Sequence, residues 1–271
     1  MPVTLDQIVD ATRQRVARAK AGTDVAALTR QAEKHQPRGF GRALRRASAQ
    51  RFGIIAELKK ASPSRGLIRS EFHPASLAAQ LAAVGATALS VLTDEDFFQG
   101  SLDYLREANA AVDIPLLRKD FIVDDFQIVE ARANCADAIL LIVAALTDAE
   151  LRSLNRRAGD VGLDVLCEVH DEPELDRALA AGCNIIGVNS RDLRTFHVDL
   201  ATALRLGPEI PANVLRVAES GISTGDDIAR LRAAGFDAFL IGESLMKAER
   251  PGEALAGLIA SAERAQKAKA R

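Results

Sequence analysis

Lysine is scarce in this chain, and its placement is the first chemical signal. Of 35 basic residues, 27 are arginine and 8 are lysine, and between His35 and Met246 the only lysines are Lys59, Lys60 and Lys119. Arginine keeps its proton in proteins, whereas the proton affinity of lysine shifts readily with burial and crowding. A chain that otherwise writes positive charge as arginine has kept lysine at two places where a transferable proton or an amine would be useful. Glu57 stands two residues ahead of Lys59, and Glu168 lies in a similar apolar setting further on. Two carboxylates and two amines in a partly desolvated cup shift one another's pKa values, as acid–base work at neutral pH requires. The competing reading is a set of structural salt bridges, which this chain would more naturally build with arginine.

Small-residue turns are the second signal. Ser220-Gly221-Ile222-Ser223 and Gly242-Glu243-Ser244 combine glycine, which lets a backbone approach an anion, with serine, which adds a hydroxyl donor. Turns of this kind hold phosphate against backbone N–H groups. His73, His170 and His197 lack the i, i+4 pairing of a helical metal site, so no metal is expected, although His170 is placed to line the cup. Phe97, Phe98 and Phe121 either wall a pocket for an apolar ring or pack beneath loops. Cys135, Cys167 and Cys183 are odd in number and form no CxxC pair, so buried free thiols in a reducing compartment are expected.

These side chains act together only if the fold gathers them. From residue 53 short apolar runs recur at 53–58, 87–92, 114–118, 137–143, 163–169, 184–189, 214–219 and 237–242, their starts 21 to 34 residues apart. Segments of helical periodicity lie between them, and those at 74–85, 171–182 and 224–235 each stop on a glycine. Apolar strands alternating with helices predict parallel pairing, and eight such units predict a closed (β/α)8 TIM barrel. An open doubly wound sheet would carry a G-x-G-x-x-G turn after its first strand, and none follows Leu58. Residues 1–50 read as a helical extension. Thr4 and Gln7 form a capping box, Leu5, Ile8, Val9, Thr12 and Val16 share one helical face, a second helix spans about 24–34, and 35–41 is a break. The expected organisation is a single domain over 1–271, with the extension at 1–50 and the barrel at 51–271.

Barrel chemistry collects at the C-terminal strand ends. Six of the eight runs end in polar residues: Glu57 with Lys59, Lys119, Glu168 with His170, Asn189 with Arg191, Glu219 with Ser220, and Glu243 with Ser244. Alternation along a strand also points Glu57 and Lys59 the same way. The two small-residue turns follow the seventh and eighth runs, where barrels often bind phosphate.

Composition narrows the class further. With 48% hydrophobic and 27% charged residues the chain is not a disordered one. A net charge of −2 without a basic block gives no footprint for nucleic acid or an anionic membrane surface. The longest apolar stretch, 138–146, is too short for a membrane helix, and the first residues lack the order of a signal peptide, so a cytoplasmic protein is expected.

The motifs AELKKASPSRG (56–66), LLRKDF (116–121), CEVH (167–170), GVNSRDL (187–193), AESGI (218–222) and FLIGESLM (239–246) closely resemble those of the indole-3-glycerol-phosphate synthases, and the resemblance runs over essentially the whole chain. It implies a cofactor-free, metal-free lyase of tryptophan biosynthesis. Its substrate would be 1-(2-carboxyphenylamino)-1-deoxyribulose 5-phosphate, converted to indole-3-glycerol phosphate, CO2 and water by a monomer or homodimer. The resemblance makes Lys119 the general acid toward the ribulose carbonyl and Glu168 the general base. Lys59 would hold the substrate carboxylate, with proton donation during dehydration as a second role, and Glu57 would position the lysines. Asn189 and Ser220 would hydrogen-bond the substrate, with Glu219 and Arg191 close by, and Ser62, Gly221, Gly242 and Ser244 would hold the phosphate with help from Lys59.

Leu58, Arg65 and Ser190 depart from the Ile, Lys and Asn common in that family. Arg65 keeps the charge without lysine-like proton chemistry and stays outside the catalytic set. The segment 60–73 is the best lid candidate. No second barrel follows the eighth run, so a fused isomerase is not expected. Three rivals stay open at this point: a phosphosugar isomerase, an aldolase using Lys59 or Lys119 as a Schiff-base nucleophile, and a barrel that only binds phosphate.

Overall fold

The computed structural model describes residues 4–192, 195 and 197–269. The first three residues of the extension and Leu193 of the GVNSRDL motif lie outside these. Three helices come first: α1 (Leu5–Gly22), α2 (Val25–Lys34) and α3 (Phe40–Gln50). The strands are β1 (Gly53–Leu58), β2 (Ala61–Ser62), β3 (Gly66–Leu67), β4 (Ala88–Leu92), β5 (Leu116–Lys119), β6 (Ala138–Ile142), β7 (Asp164–Val169), β8 (Ile185–Asn189), β9 (Leu215–Glu219) and β10 (Ala238–Ile241). Eight of them close into a barrel in the order β1-β10-β9-β8-β7-β6-β5-β4, all neighbours parallel. This is the expected (β/α)8 barrel. The pair β2–β3 is an antiparallel hairpin within the 60–73 segment, which apolar periodicity could not announce because its arms are two residues each.

The apolar runs are continuous because both strand faces are buried. Ile54 and Ile55, adjacent in β1, are both inaccessible but serve different cores. Ile54 packs outward with Leu89 and Phe239 against the helical ring, while Ile55 points inward with Leu117, Leu166, Leu215 and Leu240. Each such side chain contributes about 1.5–3 kcal/mol on leaving water. The helices between strands end where glycine takes a left-handed backbone, at Gly85 (φ 106°), Gly182 (φ 78°) and Gly235 (φ 95°).

The extension clasps the barrel from both ends. The α1 capping box of Thr4 and Gln7 is present, and Ile8, Val9, Thr12 and Val16 are its buried face. At the N-terminal barrel end, Phe40 and Leu44 of α3 join the inward-facing core, and the Gly41 N–H donates to Asp164 Oδ2 at 2.9 Å. Across the opposite end lies α1, with Arg15 reaching Asp94 and Asp120 just beyond β4 and β5. The break after α2 is shorter than expected, since Gly39, at φ 79°, starts α3 within it.

One expectation is overturned. Cys167 and Cys183 are joined as a disulfide rather than standing as free thiols, and Cys135 alone is free. Cys167 lies in β7 and Cys183 just before β8, its neighbour in the barrel, so their Cα atoms come within 6.4 Å, a bridging distance invisible to sequence spacing.

Candidate active site

The barrel mouth opens into a cavity of about 500 Å³, with residues from α1 and from all eight barrel strands or the loops after them in its wall. Glu57, Lys59, Ser62, Lys119, Glu168, Asn189, Arg191, Glu219, Ser220, Gly221, Gly242 and Ser244 all line it. The alternation of β1 puts Glu57 and Lys59 on the same side, and Lys59 Nζ sits 2.6 Å from Glu57 Oε1. At the end of β5, Lys119 Nζ lies 3.1 Å from Glu168 Oε2 and 3.4 Å from Glu219 Oε2. Glu57, Glu168 and Glu219 are at most 3% exposed.

Two glycines make room for the carboxylates. A Cβ on Gly187 would stand 2.1 Å from Glu219 Oε1, and one on Gly242 would stand 2.2 Å from Glu57 Oε1. The inner surface therefore spends two side-chain positions on space for charge, which an apolar filling would not need.

The charges bias one another strongly. Burial alone would strip the Lys119 proton, but the fields of Glu168, Glu219 and Glu57 outweigh it and hold the amine as ammonium. Burial favours protonated Glu168, yet Lys119, and then His170, pull it well below the usual carboxylate range. Glu219 goes the other way. Burial pushes it up to about 8 and the neighbouring Glu168 and Glu57 add to this, against the opposing pull of Lys119. Of the two neighbours, Glu168 is thus biased toward the anion and Glu219 toward the acid. Its Oε1 is buried without a hydrogen-bond partner in the protein.

His170 stands behind Glu168 rather than in the cavity wall. Its Nδ1 is 3.0 Å from Glu174 and its Nε2 is 3.5 Å from Glu168. Burial opposes its charge, but the two carboxylates raise it to about 10, so it is an imidazolium that helps keep Glu168 ionised. His73 is exposed beside Glu71, and His197 is exposed. Among the described residues no group of three or more His, Cys, Asp or Glu side chains is arranged to hold a metal ion.

The small-residue turns occupy one side of the mouth. Ser220 (φ 64°) and Gly221 (φ 77°) are consecutive left-handed residues, a conformation that costs a non-glycine residue roughly 1–2 kcal/mol. A Cβ on Gly221 would meet Val198 Cγ1 at 2.8 Å. Glu243, between Gly242 and Ser244, gathers three cations: Arg65 Nε at 3.1 Å, Arg191 at 3.3 Å and Lys247 Nζ at 2.6 Å. Another part of the wall is apolar. Phe98 and Phe121 face each other with ring centroids 6.2 Å apart, alongside Leu92, Leu140, Ile142, Leu5 and Ile8. Phe97 is absent from the lining.

Several lining residues escaped sequence reasoning. Arg65 lacks lysine-like proton chemistry, yet its charge alone suits an anion site. Periodicity marks Leu5 and Ile8 as a packing face but says nothing of what that face covers. Glu243 is legible as a polar strand end, but sequence gives no sign of the three cations it gathers.

The geometry is matched by kinship. The family model for indole-3-glycerol phosphate synthase matches residues 5–258. The indole-3-glycerol phosphate synthase of Koribacter versatilis is 55% identical over 259 residues, spanning 96% of this chain and 100% of that protein. The one from Variovorax paradoxus is 49% identical over 264 residues, spanning 95% and 99%. Among solved structures, thiamine phosphate pyrophosphorylase from Pyrococcus furiosus superposes with a TM-score of 0.61 over 81% of this chain and 98% of that one, at 16% identity, a likeness of fold alone.

Proposed function

The chain belongs to the indole-3-glycerol phosphate synthase family, and from that membership we propose that it closes the indole ring of 1-(2-carboxyphenylamino)-1-deoxyribulose 5-phosphate, releasing CO2 and water in tryptophan biosynthesis. The observation that carries the reading is Lys119, an ammonium hydrogen-bonded to both Glu168 and Glu219 in a cavity with aromatic side chains and small-residue turns in its wall. A substrate with an aromatic ring, a carbonyl and a phosphate finds a partner for each part.

In this reading the ring carbon bearing the carboxylate attacks the ribulose carbonyl, and Lys119 gives its proton to the oxygen as the C–C bond forms. Loss of CO2 returns the electron pair to the ring and restores aromaticity. The new hydroxyl then leaves as water with a proton from Lys59. Glu168, ionised and 3.1 Å from Lys119, takes the C–H proton whose loss forms the ring double bond. Each positioned proton transfer contributes about 10²–10⁴-fold, and holding the reacting carbons together supplies more. Glu57 keeps Lys59 in place, and Asn189, at the end of β8 in the cavity wall, and Ser220 orient the intermediate. Ser62, Gly221, Gly242 and Ser244 take the phosphate, with Arg191 and Arg65 as nearby cations.

A Schiff-base aldolase working through Lys119 is disfavoured because that amine is held as ammonium, the wrong form for a nucleophile. The extension and barrel act as one unit in this reading, since α1 lends Leu5 and Ile8 to the cavity. That one chain supplies each role supports a monomer or homodimer. Among the described residues no helix is long and apolar enough to cross a membrane, and a substrate with a carboxylate and a phosphate, which membranes exclude, fits a cytoplasmic enzyme.

The test is direct. The protein is incubated with the carboxyphenylamino-deoxyribulose phosphate and indole fluorescence is followed. Turnover is expected, with Lys119→Ala lowering kcat by at least about 10²-fold while the fold persists. No indole from the wild type sinks the reading, and substantial turnover by the variant sinks the role of Lys119.

A further inference from the structure

The aromatic part of the cavity wall is set by two buried carboxylates that do not line up with any catalytic role above. Asp94, just after β4, accepts the N–H groups of Phe97 at 2.7 Å and Phe98 at 3.2 Å on Oδ1, and so caps the turn that carries Phe98 into the wall. Asp120, just after β5, accepts the Phe121 N–H at 2.9 Å on Oδ1, while its Oδ2 is held by Thr93 at 2.7 Å and Arg118 at 3.0 Å. Each carboxylate therefore fixes the backbone of one of the two facing rings, Phe98 and Phe121.

Two desolvated carboxylates this close repel. Burial, with Asp120 adding to it, pushes the Asp94 carboxyl up to about 6. Of the two, Arg118 pairs with Asp120 alone, and one further side chain reaches both. Arg15 NH2, from α1, lies 3.4 Å from Asp94 Oδ2 and 3.2 Å from Asp120 Oδ1, with its Nε 4.0 Å from Asp96. Arg15 is absent from the cavity lining. Both contacts are made by one guanidinium nitrogen, its two N–H groups directed to different carboxylates, and arginine keeps this charge when buried.

We propose that Arg15 is a positioning residue for the substrate's aromatic ring. By countering the charge of Asp94 and sharing Asp120 with Arg118, it holds the Phe98–Phe121 wall in register, so that recognition of the ring depends on a helix N-terminal to the barrel through a side chain that never touches it. This deepens the function proposed above and rests on it for the nature of the ring.

The test compares wild type, R15K, R15M and R15M/D94N in the full chain. Asparagine at 94 keeps an oxygen for the Phe97 and Phe98 N–H groups but removes the charge. Losing a charge-assisted bond at a buried pair should raise the KM of R15M about tenfold, with kcat changed less than about twofold. R15K should recover part of the loss, and D94N in the R15M background should recover most of it. Competitive inhibition by glycerol 3-phosphate, which carries the phosphate half alone, should be the same in all four.

An R15M/D94N protein no better than R15M, or glycerol 3-phosphate affinity falling in parallel with KM, would mean that Arg15 only seats α1 and overturns the proposal. An R15M protein indistinguishable from an active wild type overturns it too. An inactive wild type would instead remove the function reading on which the proposal rests.

Discussion

Gly187→Ala isolates the cost of space at the site. Gly187 sits in β8 opposite Glu168 in the β7–β8 register, and its backbone is not left-handed, so alanine is acceptable on conformational grounds. The added methyl would stand 2.1 Å from Glu219 Oε1, 3.2 Å from its Cδ and 3.1 Å from Leu166 Cδ1. The carboxylate must move, and it is the same carboxylate whose Oε2 lies 3.4 Å from Lys119. Overpacking of a filled interior costs about 1–3 kcal/mol. Weakening one charge-assisted hydrogen bond costs about 1.5–3 kcal/mol, which corresponds to a loss in kcat/KM of roughly ten- to hundredfold. Stability is best followed by urea unfolding with far-ultraviolet circular dichroism, since the chain has no Trp and one Tyr, and turnover by indole fluorescence. The control is the same change in a Glu219→Ala background. With the carboxylate gone the methyl has room, and a coupling of at least about 1 kcal/mol between the two positions is expected. If the two changes are additive, Glu219 is not what Gly187 accommodates, and the argument that glycine here makes space for charge is wrong.

Two further outcomes follow from titration. Glu219, held near 8, is neutral below that pH and gains a negative charge above it, beside Glu168 and Glu57 and facing an anionic substrate. The kcat/KM of the wild type should therefore fall as pH rises through about 8, and Glu219→Gln should lack that limb; an unchanged alkaline limb in the variant excludes Glu219 as its source. His35, hydrogen-bonded to buried Asp137 and then to Cys135 against a smaller opposing effect of burial, is raised from 6.5 to about 9. Because the folded value is the higher one, its contribution is fully present below 6.5 and lost as pH rises through 9. The urea midpoint should decline across that window and His35→Gln should flatten the decline; equal slopes would show that another group governs it.

Much of this site is legible in one dimension because barrel architecture converts a one-dimensional rule into a place. A polar residue after an apolar run lies at a strand's C-terminal end, and the closed parallel sheet brings all such ends to one mouth. Lys59, Lys119, Glu168, Asn189 and Glu219 were readable in that way, and the scarcity of other lysines made two of them conspicuous. The helical extension was readable too, down to the Thr4–Gln7 box, because capping and periodicity are local.

What the sequence alone could not determine is whatever depends on distance between elements. That α1 lies across the barrel mouth while α3 closes the far end is a matter of docking, so Leu5, Ile8 and Arg15 carried no functional signal. The partners of Glu243, the difference between Phe97 and Phe98, and the pairing of Cys167 with Cys183 all rest on side chains converging from separate turns of the chain. The same holds for proton placement. Composition put carboxylates and amines in one cup, but only burial and ångström-scale spacing make Lys119 an ammonium, Glu168 an anion and Glu219 an acid, because Coulomb and desolvation energies are set by three-dimensional separation and by exclusion of water. Residue type states what a group is able to do; the tertiary structure decides the protonation state in which it does it.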